Sequence, residues 1–156
     1  MDPYDKEKTR QIWKRVLGED ESSVEMTAMD SEKLRDMIAD EKTDSCTYRK
    51  MAQSACGKDG EVLRCVAQEE YCHSRKLETV YYIWTGEKAQ VVSNPLPQYC
   101  SMPEALRDRY QKELEGEKGY RQAAEELPEH RDLLLCLAAG EAHHAEIMRC
   151  LLQHYV

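Results

Sequence analysis

Gly140-Glu141-Ala142-His143-His144-Ala145, near the end of a chain of 156 residues, sets a carboxylate and an imidazole three residues apart. On a helix that spacing puts both side chains on one side. The chain repeats the pattern in Gln68-Glu69-Glu70-Tyr71-Cys72-His73. Each pair follows, by 28 or 29 residues, another glutamate that has a tyrosine seven residues after it. The first half thus reads Glu41, Tyr48, Glu70, His73, and the second Glu113, Tyr120, Glu141, His144. Two copies of one helical hairpin predict a four-helix bundle. A Glu from each of two helices plus Glu-x-x-His from each of the other two is the ligand set of a dinuclear iron or manganese carboxylate site.

The apolar residues around these candidates set the helical phase independently. A first helix is expected from Asp30 or Ser31, either of which can cap it, to about Cys56, with Leu34, Met37, Ile38, Glu41, Ser45, Tyr48, Ala52 and Ala55 on its inward stripe. A second is expected from about Gly60 to Tyr82, capped by Asp59, with Val62, Val66, Glu70, His73, Leu77 and Val80-Tyr81 inward and Glu69 pointing elsewhere. The stretch from Trp84 to Met102, with Pro95 and Pro97, is too long for a tight hairpin. It lets the second hairpin return parallel to the first.

Ser101-Met102-Pro103-Glu104 is a capping box that opens a third helix. Its stripe is Leu106, Tyr110, Glu113, Glu117, Tyr120, Ala124 and Leu127, so Glu117 is a further candidate ligand beside Glu113. Pro128 separates it from a fourth helix with Leu134, Leu137, Glu141, His144, Met148, Leu151 and Tyr155 inward. Ahead of the bundle, residues 1–29 form a separate segment: a short amphipathic helix over 5–17, carrying Ile12, Trp13, Val16 and Leu17, and an acidic linker. The bundle proper is assigned to residues 30–156.

An ionised glutamate on a buried stripe is costly unless it is paired or bound to metal. Here glutamates fall at corresponding depths on all four helices. Two divalent ions would offset four carboxylates, and two neutral imidazoles would complete the donor set. Glu41, Glu70 and His73 are expected on one side of such a centre and Glu113, Glu141 and His144 on the other, with Glu70 and Glu141 as the bridging carboxylates. Tyr48 and Tyr120 lie two turns beyond Glu41 and Glu113; they are either core aromatics or hydrogen-bond donors to ligating carboxylates across the bundle. His130 and His143 fall off the stripes and are expected at the surface.

The net charge of −8 argues against nucleic acid or an anionic membrane as partner. The first fifteen residues contain no apolar segment of a secretory leader, and the apolar run Leu133–Ala139 is too short to span a bilayer, which reads as a soluble, cytoplasmic protein. Seven cysteines without any Cys-x-x-Cys argue against a zinc ribbon, a rubredoxin-type iron site or a redox pair, and are expected as reduced core thiols.

Over residues 30 to 155 the sequence resembles the ferritin-like superfamily, specifically the rubrerythrin-type di-iron domain without its rubredoxin domain. The resemblance rests on Glu41 with Tyr48 and Ala52, Glu70 with His73, Glu-Leu-Glu-Gly-Glu-Lys-Gly-Tyr at 113–120, and Glu141 with His144. It implies an all-α, ferritin-like bundle with a long connection between the second and third helices. It also implies two iron ions, with manganese or zinc as substitutes, and reduction of hydrogen peroxide or dioxygen with electrons from an external donor protein. A homodimer is expected. The extra inward glutamate that such domains carry on the third helix is Gly116 here. A non-catalytic metal-binding or sensing protein, or a helical interaction module that retains the site, would present the same residues.

Overall fold

The structure is a computed structural model and describes residues 28–155. The expected N-terminal amphipathic helix and most of its linker lie outside the described residues. Four long helices carry the rest: α1 (Ala28–Ser54), α2 (Asp59–Thr85), α3 (Met102–Glu126) and α4 (Arg131–Leu152). A single 3-10 turn, Pro128–His130, joins the last two, and there is no strand among the described residues. No helix among them is long and apolar enough to cross a membrane.

The boundaries differ from expectation where local chemistry is weak. The first helix, α1, is already helical at Ala28, ahead of the expected start at Asp30 or Ser31. Asp59 does not cap α2 either; its carboxylate accepts from His154 Nδ1 at 3.0 Å, tying α2 to the end of the chain. The helix α2 continues to Thr85, where Gly86 takes a φ of 70° and its N–H bonds the carbonyl of Tyr82. A left-handed residue of this kind ends a helix at low steric cost only as glycine. The start of α3 is capped by Ser101, whose Oγ accepts from the Glu104 N–H at 3.3 Å, while the Glu104 carboxylate reaches past Ser101 to the Cys100 N–H at 2.7 Å.

The helices pack in two antiparallel pairs, α1 with α2 and α3 with α4. Two apolar clusters close the ends. One gathers Leu34 and Ile38 from the start of α1, Leu77 and Tyr81 from the end of α2, Tyr120 and Ala123 from the end of α3, and Leu134 and Leu137 from the start of α4. The other gathers Tyr48 and Met51, Leu63 and Val66, Ala105 and Leu106, and Met148 and Leu151, from the opposite ends. Each buried leucine contributes about 1.5–3 kcal/mol to this closure. The membership of the clusters sets the directions: α1 runs parallel to α4, and α2 to α3. The second hairpin therefore returns antiparallel to the first, not parallel to it.

The connection over 86–101 makes this order geometrically necessary. It leaves the end where α2 finishes and runs along α1 in the direction of α1. Lys42 Nζ donates to the Val91 carbonyl at 3.3 Å, the Asn94 N–H to Thr43 Oγ1 at 2.7 Å, and Lys50 Nζ to Gln98 Oε1 at 3.0 Å. It thus delivers the chain to the far end before α3 begins. Between the two apolar clusters, at the level the connection passes, lies a polar layer.

Candidate metal centre

The polar layer is built from the four inward stripes. Glu41 of α1, Glu70 and His73 of α2, Glu113 of α3, and Glu141 and His144 of α4 are all buried. The structure brings all six together. His73 Nδ1 lies 3.0 Å from Glu141 Oε1, 3.2 Å from Glu70 Oε2 and 3.5 Å from Glu41 Oε2. His144 Nδ1 lies 2.9 Å from Glu70 Oε1 and 3.6 Å from Glu113 Oε2. Ligand atoms of Glu70, His73, Glu141 and His144 fall within 4.8 Å of one another. Glu70 thus turns one oxygen to each imidazole. Glu141, expected with His144, sends Oε1 to His73.

These spacings suit a shared cation. Donors held about 2.1 Å from one ion stand roughly 3.0 Å apart at right angles and roughly 3.4 Å apart at tetrahedral angles. A single imidazole N–H, by contrast, has one proton and cannot serve three carboxylate oxygens at once. Seven atoms of the layer have no hydrogen-bond partner: Glu41 Oε2, both oxygens of Glu70, His73 Nδ1, Glu113 Oε2, Glu141 Oε1 and His144 Nδ1. A buried polar atom left without a partner costs about 1–3 kcal/mol, and more when charged. Seven such atoms at one level of one core are the pattern expected of ligands, and the cluster of Glu70, His73, Glu141 and His144 could hold a metal ion.

The outer faces of the layer are tied down. Tyr48 of α1 donates its hydroxyl to Glu113 Oε1 of α3, and Tyr120 of α3 donates to Glu41 Oε1 of α1. Each bond crosses between the hairpins and leaves the second oxygen of its glutamate facing inward. Burial, together with Glu113 for Tyr48 and Glu41 for Tyr120, pushes both phenols well above their usual value, so they remain donors.

Without metal the layer holds protons. Burial pushes Glu41 up to about 8 and Glu141 up to about 10, with repulsion from neighbouring carboxylates adding to the effect. Burial opposes a charged His73, but the nearby carboxylates of Glu141, Glu41 and Glu70 outweigh that and push it up to about 12. His144, likewise opposed by burial, is raised to about 11 by Glu113, Glu70 and Glu69. Glu70 resists burial through His144 and His73, which hold it down at about 2.

Several side chains sit elsewhere than expected. Glu117 pairs with Arg121 at 2.8 Å, and the inward position one turn after Glu113 is Gly116, where an added Cβ would lie 3.0 Å from Glu141 Oε2. His130 is half-buried, its ring 4.3 Å from that of Trp84, whereas His143 is exposed. The thiols are all free, but they are not core: six of the seven are exposed and Cys46 is half-buried.

Two participants escaped the sequence reading. Glu69 does not point away; its Oε2 lies 2.8 Å from His144 Nε2, on the far side of that ring from the layer. Arg109 of α3 is buried between Asp44 of α1, which takes Nη1, and Asp108, 3.1 Å from Nη2. Tyr99 of the connection donates to Asp108 at 2.6 Å, so the network joins both hairpins and the connection next to Glu113. Burial pushes the Asp44 carboxyl up to about 7 against the pull of Arg109. The step 106, 109, 113, 116, 120 would have placed Arg109 on the inward stripe. Glu69 had no such signal, because its partner lies on another helix.

Comparison of the chain with protein-family models, with curated proteins and with solved structures finds no match.

Proposed function

We propose that the chain is a ferritin-like four-helix bundle holding two transition-metal ions between its apolar ends, as an iron-dependent oxidoreductase of the rubrerythrin type. The observation that carries this is the convergence on one layer of seven buried donor atoms from all four helices, none of them in a hydrogen bond. The up-down-down-up course of the helices and the long connection along α1 support the ferritin-like reading. The donor set of four carboxylates and two imidazoles suits iron or manganese, and zinc as a substitute.

Two ferrous ions bound there would supply one electron each, enough to cleave the O–O bond of hydrogen peroxide and, with two protons, give two waters. The residues have separable tasks. Glu70 addresses both imidazoles and so spans the layer. Glu41 and Glu113 each offer one inward oxygen while Tyr120 and Tyr48 hold the other. The apolar clusters above and below exclude bulk water. Electrons for such a cycle would come from an external donor protein.

The test is peroxide consumption by protein reconstituted anaerobically with ferrous iron, in the presence of a generic reductant. Repeated turnover that is lost in Glu70→Ala supports the oxidoreductase. Tight iron binding without turnover would instead assign a non-catalytic metal-binding or sensing role.

A further inference from the structure

The Glu-x-x-His helices of the two halves correspond through a constant step. Glu141 and His144 each follow Glu70 and His73 by 71 residues, and the same step carries Glu69 to Gly140. The equivalent positions therefore hold a carboxylate in one half and nothing in the other. Glu69 Oε2 stands 2.8 Å from His144 Nε2. Gly140 lies against the His73 ring instead, where an added Cβ would come 2.7 Å from Cε1 and 2.9 Å from Nε2. No other side chain among the described residues takes a hydrogen bond from His73 Nε2.

Solvent contact divides along the same line. His73, Glu141 and Glu41 are 6%, 5% and 5% exposed, whereas His144, Glu70 and Glu113 are 0%, 1% and 1% exposed. Gly116 adds to the thinning of the first side, since it leaves the Glu141 carboxylate without a neighbouring side chain at that point.

We infer that the two ion positions are kinetically inequivalent: the ion beside His144 is retained, the ion beside His73 exchanges with solvent, and Glu69 is the positioning residue that makes the difference. This rests on the metal-centre reading. A carboxylate that accepts the Nε2 proton fixes the tautomer that leaves the Nδ1 lone pair toward the ion, and it raises the basicity of the ring. His144 has this support inside a closed half-layer, and its ring cannot turn without breaking the bond. His73 has neither the support nor the closure. The number of donors works in the other direction, since three carboxylate oxygens surround His73 Nδ1 and two surround His144 Nδ1. That count bears on equilibrium affinity. Release depends on solvent reaching the ion and on a ligand swinging away, and both are easier at His73.

The experiment follows the visible spectrum of the full chain loaded with two cobalt(II) ions while excess chelator is added. Wild-type protein is expected to lose one ion per chain in a fast phase and one in a slow phase. Glu69→Ala is expected to speed the slow phase by about 10–100-fold and leave the fast phase unchanged, with Glu69→Gln, which keeps an acceptor oxygen, restoring most of the retention. Glu69 is a surface residue, so folding of these variants can be verified by their unchanged helical circular dichroism. A single phase for both ions in the wild type would overturn the inference while leaving the dinuclear centre standing, as would a Glu69→Ala effect spread equally over both phases. Failure to take up cobalt at all would overturn the metal-centre reading itself.

Discussion

Tyr48→Phe isolates the crossing hydrogen bonds that orient the layer. Tyr48 is fully buried, and phenylalanine fills the same space but for one oxygen, so little of the effect should come from packing. What is lost is the bond from the hydroxyl to Glu113 Oε1. That oxygen is then buried without a partner. Hydrogen bonds to charged groups contribute about 1.5–3 kcal/mol. For a domain of this size that corresponds to a fall in Tm of roughly 3–12 °C. The assay is urea unfolding of metal-loaded protein, where the midpoint should fall at unchanged m-value. Tyr120→Phe should cost a similar amount through Glu41. A double-mutant cycle of Tyr48→Phe with Glu113→Gln should then show coupling, since the amide cannot replace the carboxylate as acceptor in strength. A loss below about 0.5 kcal/mol, with no coupling, would refute the reasoning and leave Tyr48 as a core aromatic only.

Glu113→Ala should lower the metal content, whereas Glu117→Ala should leave it unchanged and cost only about 0.3–0.5 kcal/mol for its helical pair with Arg121; elemental analysis separates the two. Gly140→Ala gains up to about 1 kcal/mol of helix propensity but forces a methyl against the buried His73 ring; overpacking of about 1–3 kcal/mol should win, seen as a lower Tm and faster loss of one ion. A pH prediction follows from the protons of the metal-free layer. His73 and His144 are raised from 6.5 to about 12 and about 11, so their attraction to the surrounding carboxylates stabilises the metal-free fold fully below pH 6.5 and the contribution is lost as pH rises through those higher values. At pH 7 these imidazoles, and Glu41 and Glu141 at about 8 and about 10, carry protons that divalent ions must displace. Metal loading in weak buffer at pH 7 should therefore release protons, and apparent affinity should rise with pH; an indicator dye that shows no release would contradict this.

The helices and the six candidate ligands were legible because apolar residues and glutamates share one phase. Ile38 and Glu41, Val66 and Glu70, Leu137 and Glu141 are each a helical turn apart, and only an inward face accommodates both members of each pair. The third helix was misjudged by one position. Glu117 and Gly116 both lie near the line of Glu113, and residue type favoured the glutamate, whereas the close approach of Glu141 requires a residue with no Cβ. The cysteines were misjudged for the opposite reason. Cys65, Cys72, Cys136 and Cys150 lie off the stripes, and helical phase overrides the general tendency of cysteine toward burial. Contacts that depend on how helices face one another left no mark in the sequence: Glu69 on His144 and Trp84 against His130. The direction of the second hairpin belongs with these. It follows from where the connection runs, and that is set by side chains of α1 such as Lys42, Thr43 and Lys50.

The central claim is that the buried carboxylate and imidazole layer is a dinuclear metal centre. It is tested most directly by elemental analysis of the chain after anaerobic reconstitution with ferrous iron and removal of loosely bound metal, with Glu70→Ala treated in parallel. About two iron per chain in the wild type and fewer than one in the variant is the predicted result. No retained iron in the wild type, or an unchanged stoichiometry in Glu70→Ala, would contradict it.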